Sequence, residues 1–257
     1  MKNTILSEKD AELIERAIIQ YGRVLSVNKL VALLRENYSE ASAHNRINQL
    51  ARSGWLKRIK QGLYLISDSV SARSQNDISL AFIANSLMSD SYVSLSYALN
   101  YYQMFDQYGK TITSVAAKNG KKYSFDGHIF KFAKVRKEQY FGFVEKRETG
   151  KIIRIAEAEK ALIDYLYLDK SFGSSSLVFE KIREYKSELD LEKLQTYAVR
   201  SSLTISRKIG FMLDMLDINS DQVFKALENK SGVSRFSVDS KSFNAKWRLY
   251  YDDRIIG

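Results

Sequence analysis

Polar and basic side chains recur along residues 39–52 at the spacing of a helix. At 3.6 residues per turn, the apolar residues of this segment fall together on one side: Ala43, Ile47, Leu50 and Ala51. The opposite side and its flanks carry hydroxyl, amide and guanidinium groups: Ser42, Asn45, Arg46, Asn48, Gln49 and Arg52. Such groups are the donors and acceptors that proteins use on base edges and phosphates. The pattern therefore predicts a helix that contacts DNA.

A basic segment follows this helix directly. Residues 55–66 alternate apolar and polar side chains around a short turn at residues 60–62, a pattern typical of a β-hairpin. Residues 41–66 hold five basic side chains and no Asp or Glu, so positive charge is concentrated here. We expect the hairpin to contact the DNA backbone through three of these residues: Lys57, Arg58 and Lys60.

Two preceding helices are needed to position this third helix. Ser7, Ser26 and Ser39 each stand before an apolar series at helical spacing, where a serine suits the cap position. Three short helices followed by a hairpin is the order of a winged helix-turn-helix, which we predict for residues 1–70. The alternatives are a small helical domain whose hairpin is kept soluble by Lys and Arg, or a winged helix that binds protein.

The composition of the chain limits the other chemistry. Its 257 residues, 45% hydrophobic and 27% charged, fit one or two globular domains. The absence of cysteine excludes disulfides, thiol catalysis and zinc sites built on Cys, and two histidines are too few for an ordinary histidine metal site. A net charge of +10 favours an anionic partner. We expect a cytoplasmic protein without metal or cofactor, because no apolar run reaches about eighteen residues and acidic residues come early.

A larger α+β domain is predicted for residues 77–257, after a Ser-rich linker at residues 71–76. Its first part predicts a small mixed sheet, in which Asp126 and Gly127 between two aromatic segments indicate a hairpin turn. Helical periodicity dominates the remainder, and residues 236–256 are expected to add one or two closing strands. The predicted fold class is α+β, with a helical C-terminal section.

A second basic stretch lies in this predicted sheet. Its basic residues are accompanied by one acid, Asp126, and are seven in number: Lys118, Lys121, Lys122, Lys131, Lys134, Arg136 and Lys137. Aromatic residues alternate along the same stretch, at positions 123, 125, 130 and 132. The stretch fits a second surface for DNA or RNA, and it equally fits a sheet with a buried aromatic face and a solvated basic face.

Residues 157–164 carry the groups that acid–base chemistry needs. Glu157, Lys160 and Asp164 share one face of a predicted helix with Glu159 beside them, a set that fits metal-assisted hydrolysis. Two structural alternatives stay open: Lys160 and Asp164 form an exposed ion pair, or Glu159 and Lys160 anchor the helix against the sheet. We predict no enzyme, because the acid-x-Lys spacing of nuclease cores is missing at each candidate lysine.

Two further polar residues have structural explanations. His128 follows the Asp-Gly turn and is expected on the hairpin surface, rather than as a base or ligand. Ser94 has no His and Asp at a spacing that predicts a nucleophile, so we expect it to cap a helix. Neither residue therefore adds a catalytic group.

Three segments of the sequence are distinctive in their order and spacing: residues 54–64, 92–99 and 155–164. Together they resemble the AbiEi family of antitoxins, which typically has a Ser-Leu-x-Ser-Ala-Leu segment and then an Ala-x-Pro-Glu-Lys-Ala-Leu-x-Asp segment. Here Tyr97 stands at the first small position of the former, and Ala158 stands where Pro is usual in the latter. The resemblance does not extend into the last third of the chain.

The resemblance implies a two-domain antitoxin of a bacterial toxin–antitoxin or abortive-infection pair, used in phage defence. In this family the winged helix represses the shared operon by binding repeated operator sequences. The second domain counteracts a nucleotidyltransferase-like toxin encoded beside it. The family is called type IV, meaning that neutralisation need not involve a stable complex, so direct contact with the toxin is left open.

Two other function classes fit the same residues. One is a ligand-responsive winged-helix transcription factor without a toxin partner, which the identity of the neighbouring gene distinguishes from an antitoxin. The other is a DNA-binding domain fused to a nuclease-like enzyme, which metal-dependent turnover would reveal. The sequence specifies neither the operator nor the oligomeric state.

Overall fold

The computed structural model describes residues 6–67, 78–106 and 109–255. The first domain has three helices and three strands: α1 Glu8–Tyr21, β1 Val24–Ser26, α2 Val27–Leu34, α3 Glu40–Arg52, β2 Leu56–Lys60 and β3 Leu63–Ile66. Its strands form an antiparallel sheet in the order β1-β3-β2. This arrangement is the predicted winged helix-turn-helix.

Local chemistry determines where these helices begin. Ser7, Ser26 and Ser39 have extended backbone, and each side-chain oxygen accepts a hydrogen bond from the backbone N–H three residues further along. After α3 the chain turns at Gly54, whose φ of +89° is favourable for glycine. The three predicted serine caps are therefore confirmed.

The β1-β3-β2 sheet is buried on both faces. Tyr64 and Ile66 pack with the helices of the first domain, whereas Leu63 and Leu65 belong to the apolar core of the second domain. Successive side chains of a strand point to opposite faces, which is why all of β3 is buried. Ile59 of β2 joins the core of the second domain as well. The first domain is thus attached to the second through packed strands.

A six-stranded mixed sheet organises the second domain, in the order β6-β7-β5-β4-β9-β8. The strands are β4 Ser91–Val93, β5 Thr111–Ala116, β6 Lys121–Phe125, β7 His128–Lys134, β8 Phe143–Glu148 and β9 Lys151–Ala156. Two neighbouring pairs, β5 with β7 and β4 with β9, are parallel, and the others are antiparallel. The β6–β7 hairpin turns at Asp126 and Gly127, which both have positive φ as a tight hairpin turn requires.

Helices cover this sheet and form most of the C-terminal section. Those in the described part of the chain are α4 Leu80–Leu87, α5 Leu95–Tyr101, α6 Ala158–Leu168, α7 Phe172–Tyr185, α8 Leu191–Ser201, α9 Leu203–Met215 and α10 Asp221–Leu227. Helix α6 is central, since it contacts α5, α7, α8 and α9 as well as β9. Its position makes α6 the link between the sheet and the helical section.

A three-stranded sheet closes the C-terminal section, with β12 between β10 and β11. The strands are β10 Ser234–Arg235, β11 Ser242–Asn244 and β12 Leu249–Tyr251. Gly210 of α9 makes room for Trp247, because a Cβ atom at position 210 would lie 2.2 Å from the indole ring. The Trp247 indole N–H donates to Asp214 at 2.8 Å. One or two closing strands were expected in residues 236–256, and the structure has two there, β11 and β12, with β10 just before that range.

The architecture confirms the predicted fold class, a winged helix-turn-helix followed by a larger α+β domain with a mixed sheet and a helical C-terminal section. The predicted linker at residues 71–76 lies outside the described residues, so the exact domain limits stay a prediction. Over the described ranges, no helix combines the length and the apolar character needed to span a bilayer.

Candidate nucleic-acid interface

The polar side of α3 faces solvent. Ala43, Ile47 and Leu50 are buried in the core of the first domain, which turns the opposite side of the helix outward. The exposed polar side chains of this helix include His44, Asn45, Asn48 and Arg52. Within the residues that the structure describes, none of these four makes a side-chain hydrogen bond or ion pair. Their donors and acceptors are therefore available to the edges of bases.

His44 belongs to this surface although it was not among the predicted contacts. It lies four residues before Asn48 and eight before Arg52, so the three side chains follow one line along α3. That spacing is already present in the sequence. The surface of α3 thus includes an imidazole at its N-terminal end.

Three other predicted contacts are engaged within the protein. Arg46 donates through Nε to Asp10 at 2.6 Å and through Nη1 to Gln49 at 2.9 Å. Asp10 is mostly buried, so this ion pair joins α1 to α3 and compensates the charge of Arg46. The Ser42 hydroxyl accepts a hydrogen bond from Ser39 at 3.0 Å. DNA contact by Ser42, Arg46 and Gln49 stays a prediction, and Arg46 also has a structural role.

A groove of about 530 Å³ opens between α3 and the β2–β3 hairpin. Its lining comes from α2, α3 and the hairpin: Val27, His44, Asn48, Arg58, Gln61, Gly62 and Tyr64. Arg58 is exposed and donates to the Tyr64 hydroxyl at 3.2 Å, with its guanidinium 5.6 Å from the ring centre. Helix and hairpin therefore line one groove with an oriented cation at its rim.

The other two hairpin lysines point toward the second domain. The Lys60 ammonium donates to the Leu87 carbonyl at 2.7 Å, and Lys57 Nζ lies 4.0 Å from Asp126 Oδ1. The pairing of β2 with β3 shifts in register between Arg58 and Lys60, which breaks the simple alternation of sides. Arg58 thus keeps the exposed position, while DNA contact by Lys57 and Lys60 stays a prediction.

The second basic stretch separates its two kinds of side chain. All seven basic residues are exposed, whereas Phe130 and Phe132 are buried and the aromatic residues of β6 are half-buried against the same core. The rings therefore build the core, and the cations alone face solvent. Lys122 and Lys131 lie directly opposite each other on β6 and β7. Like charges in that position destabilise a sheet, so an anion bound between them would relieve repulsion.

The residues considered for acid–base chemistry are inside the protein. Lys160 is 0% exposed and Asp164 is 1% exposed, and their ion pair is fully buried, so the interpretation as an exposed pair is wrong. Asp164 Oδ2 accepts hydrogen bonds from Ser94 at 2.7 Å and from Tyr92 at 3.2 Å. Ser94 stands at the predicted N-cap position of α5, but its hydroxyl makes no capping bond to that helix. This cluster joins α6 to β4, in line with the anchoring alternative.

The buried cluster is closed by aromatic rings. The Lys160 ammonium lies 4.7 Å from the centre of the Phe141 ring and 5.6 Å from that of Tyr92. Burial raises the pKa of the Asp164 carboxyl, while Lys160 and the Ser94 and Tyr92 hydroxyls act in the opposite direction. Burial and the neighbouring Asp164 also raise the pKa of Tyr92, which keeps its hydroxyl a donor.

Glu157 and Glu159 accept hydrogen bonds from α8 and from the residue before it. Glu159 accepts a hydrogen bond from the Asp190 backbone N–H at 2.9 Å, just before α8. Glu157 accepts from the Lys193 ammonium at 3.1 Å and from the Tyr197 hydroxyl. Both carboxylates thus hold α8 to the start of α6. In the described part of the chain, no group of three or more His, Asp or Glu residues is placed to hold a metal ion.

His128 begins β7 beside the hairpin turn. Its side chain is half-buried rather than on an open surface, and its Nδ1 atom is buried without a hydrogen-bond partner among the described residues. The ring therefore contributes to packing in the hairpin.

Comparison with known proteins gives a similarity of fold. No protein-family model and no curated protein matches the chain. Among solved structures, the chain is similar to the crystal structure of the RV2827C protein from Mycobacterium tuberculosis, with a TM-score of 0.65 and 12% identity, covering 96% of this chain and 92% of that chain. The two proteins share a fold over nearly their whole lengths. The resemblance to AbiEi-family antitoxins stays a prediction.

Proposed function

We propose that this protein is the antitoxin of a bacterial type IV toxin–antitoxin pair that acts in the cytoplasm. Its first domain binds operator DNA and represses its own operon, and its larger domain counteracts a nucleotidyltransferase-like toxin. The DNA-binding half of the proposal is supported by the surface of α3 and the groove beside it. The antitoxin half is supported by the resemblance at residues 54–64, 92–99 and 155–164.

The unpaired polar surface of α3 is the observation that carries DNA binding. Asn45, Asn48 and Arg52 are exposed together, and no Asp or Glu occurs between residues 41 and 66. Amides and guanidinium groups pair with adenine and guanine edges in the major groove, which is wide enough to admit a helix. A helix face with these groups and a cationic border fits duplex DNA better than an acidic or apolar partner.

The hairpin adds contacts beside the helix. Arg58 and Gln61 lie at the rim of the groove, where they flank α3 as the wing of a winged helix flanks its recognition helix. The tight turn around Gln61 and Gly62 makes this wing short. We therefore expect it to contact phosphates next to the major groove rather than to reach far along the minor groove.

The residues that carry the family resemblance have mainly structural roles. Tyr92 and Ser94 come from one segment, Lys160 and Asp164 from another, and the four form the buried cluster between β4 and α6. In residues 92–99 and 155–164, the resemblance therefore concerns how the second domain is built. It does not identify the surface that acts on the toxin.

Binding of the full-length protein to DNA from upstream of its own gene tests the first half of the proposal. We expect fluorescence anisotropy to show tight binding to that DNA and weaker, strongly salt-dependent binding to unrelated duplexes. Equal affinity for both, or no binding at about 50 mM salt, would overturn operator recognition.

Co-expression with the neighbouring gene tests the second half. Expression of that gene alone should stop growth, and the full-length protein should restore it. A neighbour that is harmless on its own contradicts the antitoxin assignment and favours a ligand-responsive transcription factor. The double variant Asn45→Ala/Asn48→Ala should lose repression while still restoring growth, because α3 lies in the other domain.

A further inference from the structure

The outer face of the C-terminal sheet carries a row of three planar side chains. Arg235 of β10 is in register with Tyr250 of β12, and Tyr250 is in register with Phe243 of β11. Residues in register project on the same side of a sheet. The next residue of β12, Tyr251, is on the inner side, where its ring lies 4.8 Å from that of Phe211 in α9.

The three groups are in contact along the row, with the planes of the two rings tilted by 48°. The Arg235 guanidinium lies 4.1 Å from the centre of the Tyr250 ring, and the rings of Tyr250 and Phe243 are 4.9 Å apart. Arg235 is held in place by a hydrogen bond of 2.8 Å from Nη1 to the Ser240 carbonyl. Phe243 remains 49% exposed, so a large aromatic face is open to solvent at one end of an ordered row.

The surroundings of the row are cationic. Lys241 and Arg248 are exposed, and each stands two residues before a ring of the row, so the segments that form the row carry three cations with Arg235. The Asp252 carboxylate is compensated by Arg254 at 2.5 Å, which lowers the pKa of Asp252 to about 2. Asp239 and Asp253 are the remaining acids of this sheet and its loops.

We propose that this outer face, formed by Arg235, Tyr250 and Phe243, binds a single-stranded nucleic acid by base stacking. Every base has a flat face that stacks on aromatic rings and on arginine, and nearby cations bind the backbone. In a duplex the faces of the bases are covered by their neighbours, so this surface selects unpaired strands. An apolar protein partner would be expected to meet an uncharged patch instead of an arginine stacked beside two rings.

This surface is independent of α3. It lies at the opposite end of the chain, and its chemistry is stacking rather than reading of base edges. The proposal therefore does not rest on operator binding, and it adds a ligand for the C-terminal section.

Anisotropy with the full-length protein tests the proposal. The probes are an unstructured RNA of about ten nucleotides, the same sequence as single-stranded DNA, and the same sequence as a duplex. Phe243→Ala removes the exposed ring, Phe243→Tyr keeps it, and Arg235→Gln removes the stacked cation. Phe224→Ala is the matched control, since Phe224 is a 39% exposed aromatic residue on α10 outside the row. Thermal unfolding of each variant checks that the fold is retained.

We expect Phe243→Ala to weaken binding of single strands by roughly five- to a hundredfold, the loss of one stacked base, and to leave duplex binding unchanged. Phe243→Tyr and Phe224→Ala should bind as the wild type does, and Arg235→Gln should bind less tightly. The RNA and DNA arms identify which strand is preferred.

Photocrosslinking of a 4-thiouridine RNA adds a direct readout. The expected crosslinks map to peptides that contain Tyr250 or Phe243. The proposal is overturned if the wild type binds no single strand at low salt, if Phe243→Ala loses no more affinity than Phe224→Ala, or if crosslinks fall only on α3 or on residues 118–137.

Discussion

Helix α3 carries its amide and guanidinium groups outward, whereas helix α6 carries an ammonium and a carboxylate inward. Asn48 and Arg52 of α3 are four residues apart and exposed, and Lys160 and Asp164 of α6 have the same spacing and are buried. Spacing along a helix therefore tells which side chains share a face, and says nothing about which face is buried.

The apolar residues of the two helices explain the difference. In α3 they form one stripe, which leaves the other side to solvent. In α6 buried residues occur all round the helix, because it packs against four other helices and β9, so its polar residues have no exposed side to occupy. A helix that is apolar all round is buried, and its charged groups must then find partners inside.

Removing one partner of the buried pair gives the largest expected effect. Asp164→Ala should lower the free energy of unfolding by about 3–5 kcal/mol, because the Lys160 ammonium would be left buried without a carboxylate. Urea unfolding measures this loss. The double variant Lys160→Met/Asp164→Leu should be less destabilised than Asp164→Ala. A loss below about 1 kcal/mol for Asp164→Ala would show that the pair is not buried in solution.

A second buried lysine, Lys208, should make the stability of the protein depend on pH. Lys208 of α9 is 2% exposed and donates to the Phe236 carbonyl at 2.7 Å and to the Ser175 hydroxyl at 3.2 Å. Burial lowers its pKa to about 8, partly opposed by Asp169 and assisted by Lys170. Between that pKa and the ordinary value near 10.4, the unfolded chain binds a proton that the folded chain does not.

Stability from Lys208 should therefore rise as the pH increases from about 8 to 10, by roughly 3 kcal/mol at most. The free energy of unfolding is measured for the wild type and for Lys208→Met across this pH range. The difference between the two curves separates the contribution of Lys208 from that of the general decrease in positive charge. The wild-type curve should rise more steeply than the variant curve. Parallel curves would contradict a depressed lysine pKa.

Substitutions on the exposed side of α3 should change DNA binding without changing the stability of the protein. Asn48→Ala should weaken operator binding by about 1–3 kcal/mol and relax sequence preference, since it removes a group for a base edge. The free energy of unfolding should change by less than about 0.5 kcal/mol. Asn37→Ala is a matched control, because Asn37 is exposed in the same domain but away from this side of α3. Equal affinity of both variants for the operator would remove Asn48 from the interface.

The smallest expected effect is a difference in DNA binding between substitutions of two basic residues of β2, Arg58 and Lys60. Arg58→Ala should weaken binding to all duplexes and reduce the salt slope of affinity by about 0.9, the contribution of one phosphate contact. Lys60→Ala should leave that slope unchanged, because its ammonium is bound to the Leu87 carbonyl. Salt titrations by anisotropy compare the two. An equal decrease of the slope would show that both side chains contact DNA.

Local signals in the sequence are sufficient for the helix starts of the first domain and for a hairpin turn of the second domain. The serine caps at Ser7, Ser26 and Ser39 and the turn at Asp126 and Gly127 act within a few residues, so the sequence alone predicts them. The fold class follows from the order of such elements.

Features that depend on contacts between distant residues could not be predicted from the sequence. The direction of Lys60 depends on a register shift and on α4, and the burial of Asp164 depends on hydroxyl donors about seventy residues earlier in the chain. The row of Arg235, Tyr250 and Phe243 requires the pairing of three short strands. None of these pairings has a local signature.

The β1-β3-β2 sheet has an apolar core on each of its two faces, which limits how freely the first domain can be exchanged between related proteins. Separating the first domain from the second would expose Leu63, Leu65 and Ile59. It would also uncover the part of the second domain's core that these residues contact. Chimaeras that exchange only the first domain between distant homologues should therefore aggregate, unless the contacting surface of the second domain is exchanged too. Changes of target preference are expected to accumulate on the solvent side of α3, which touches neither core.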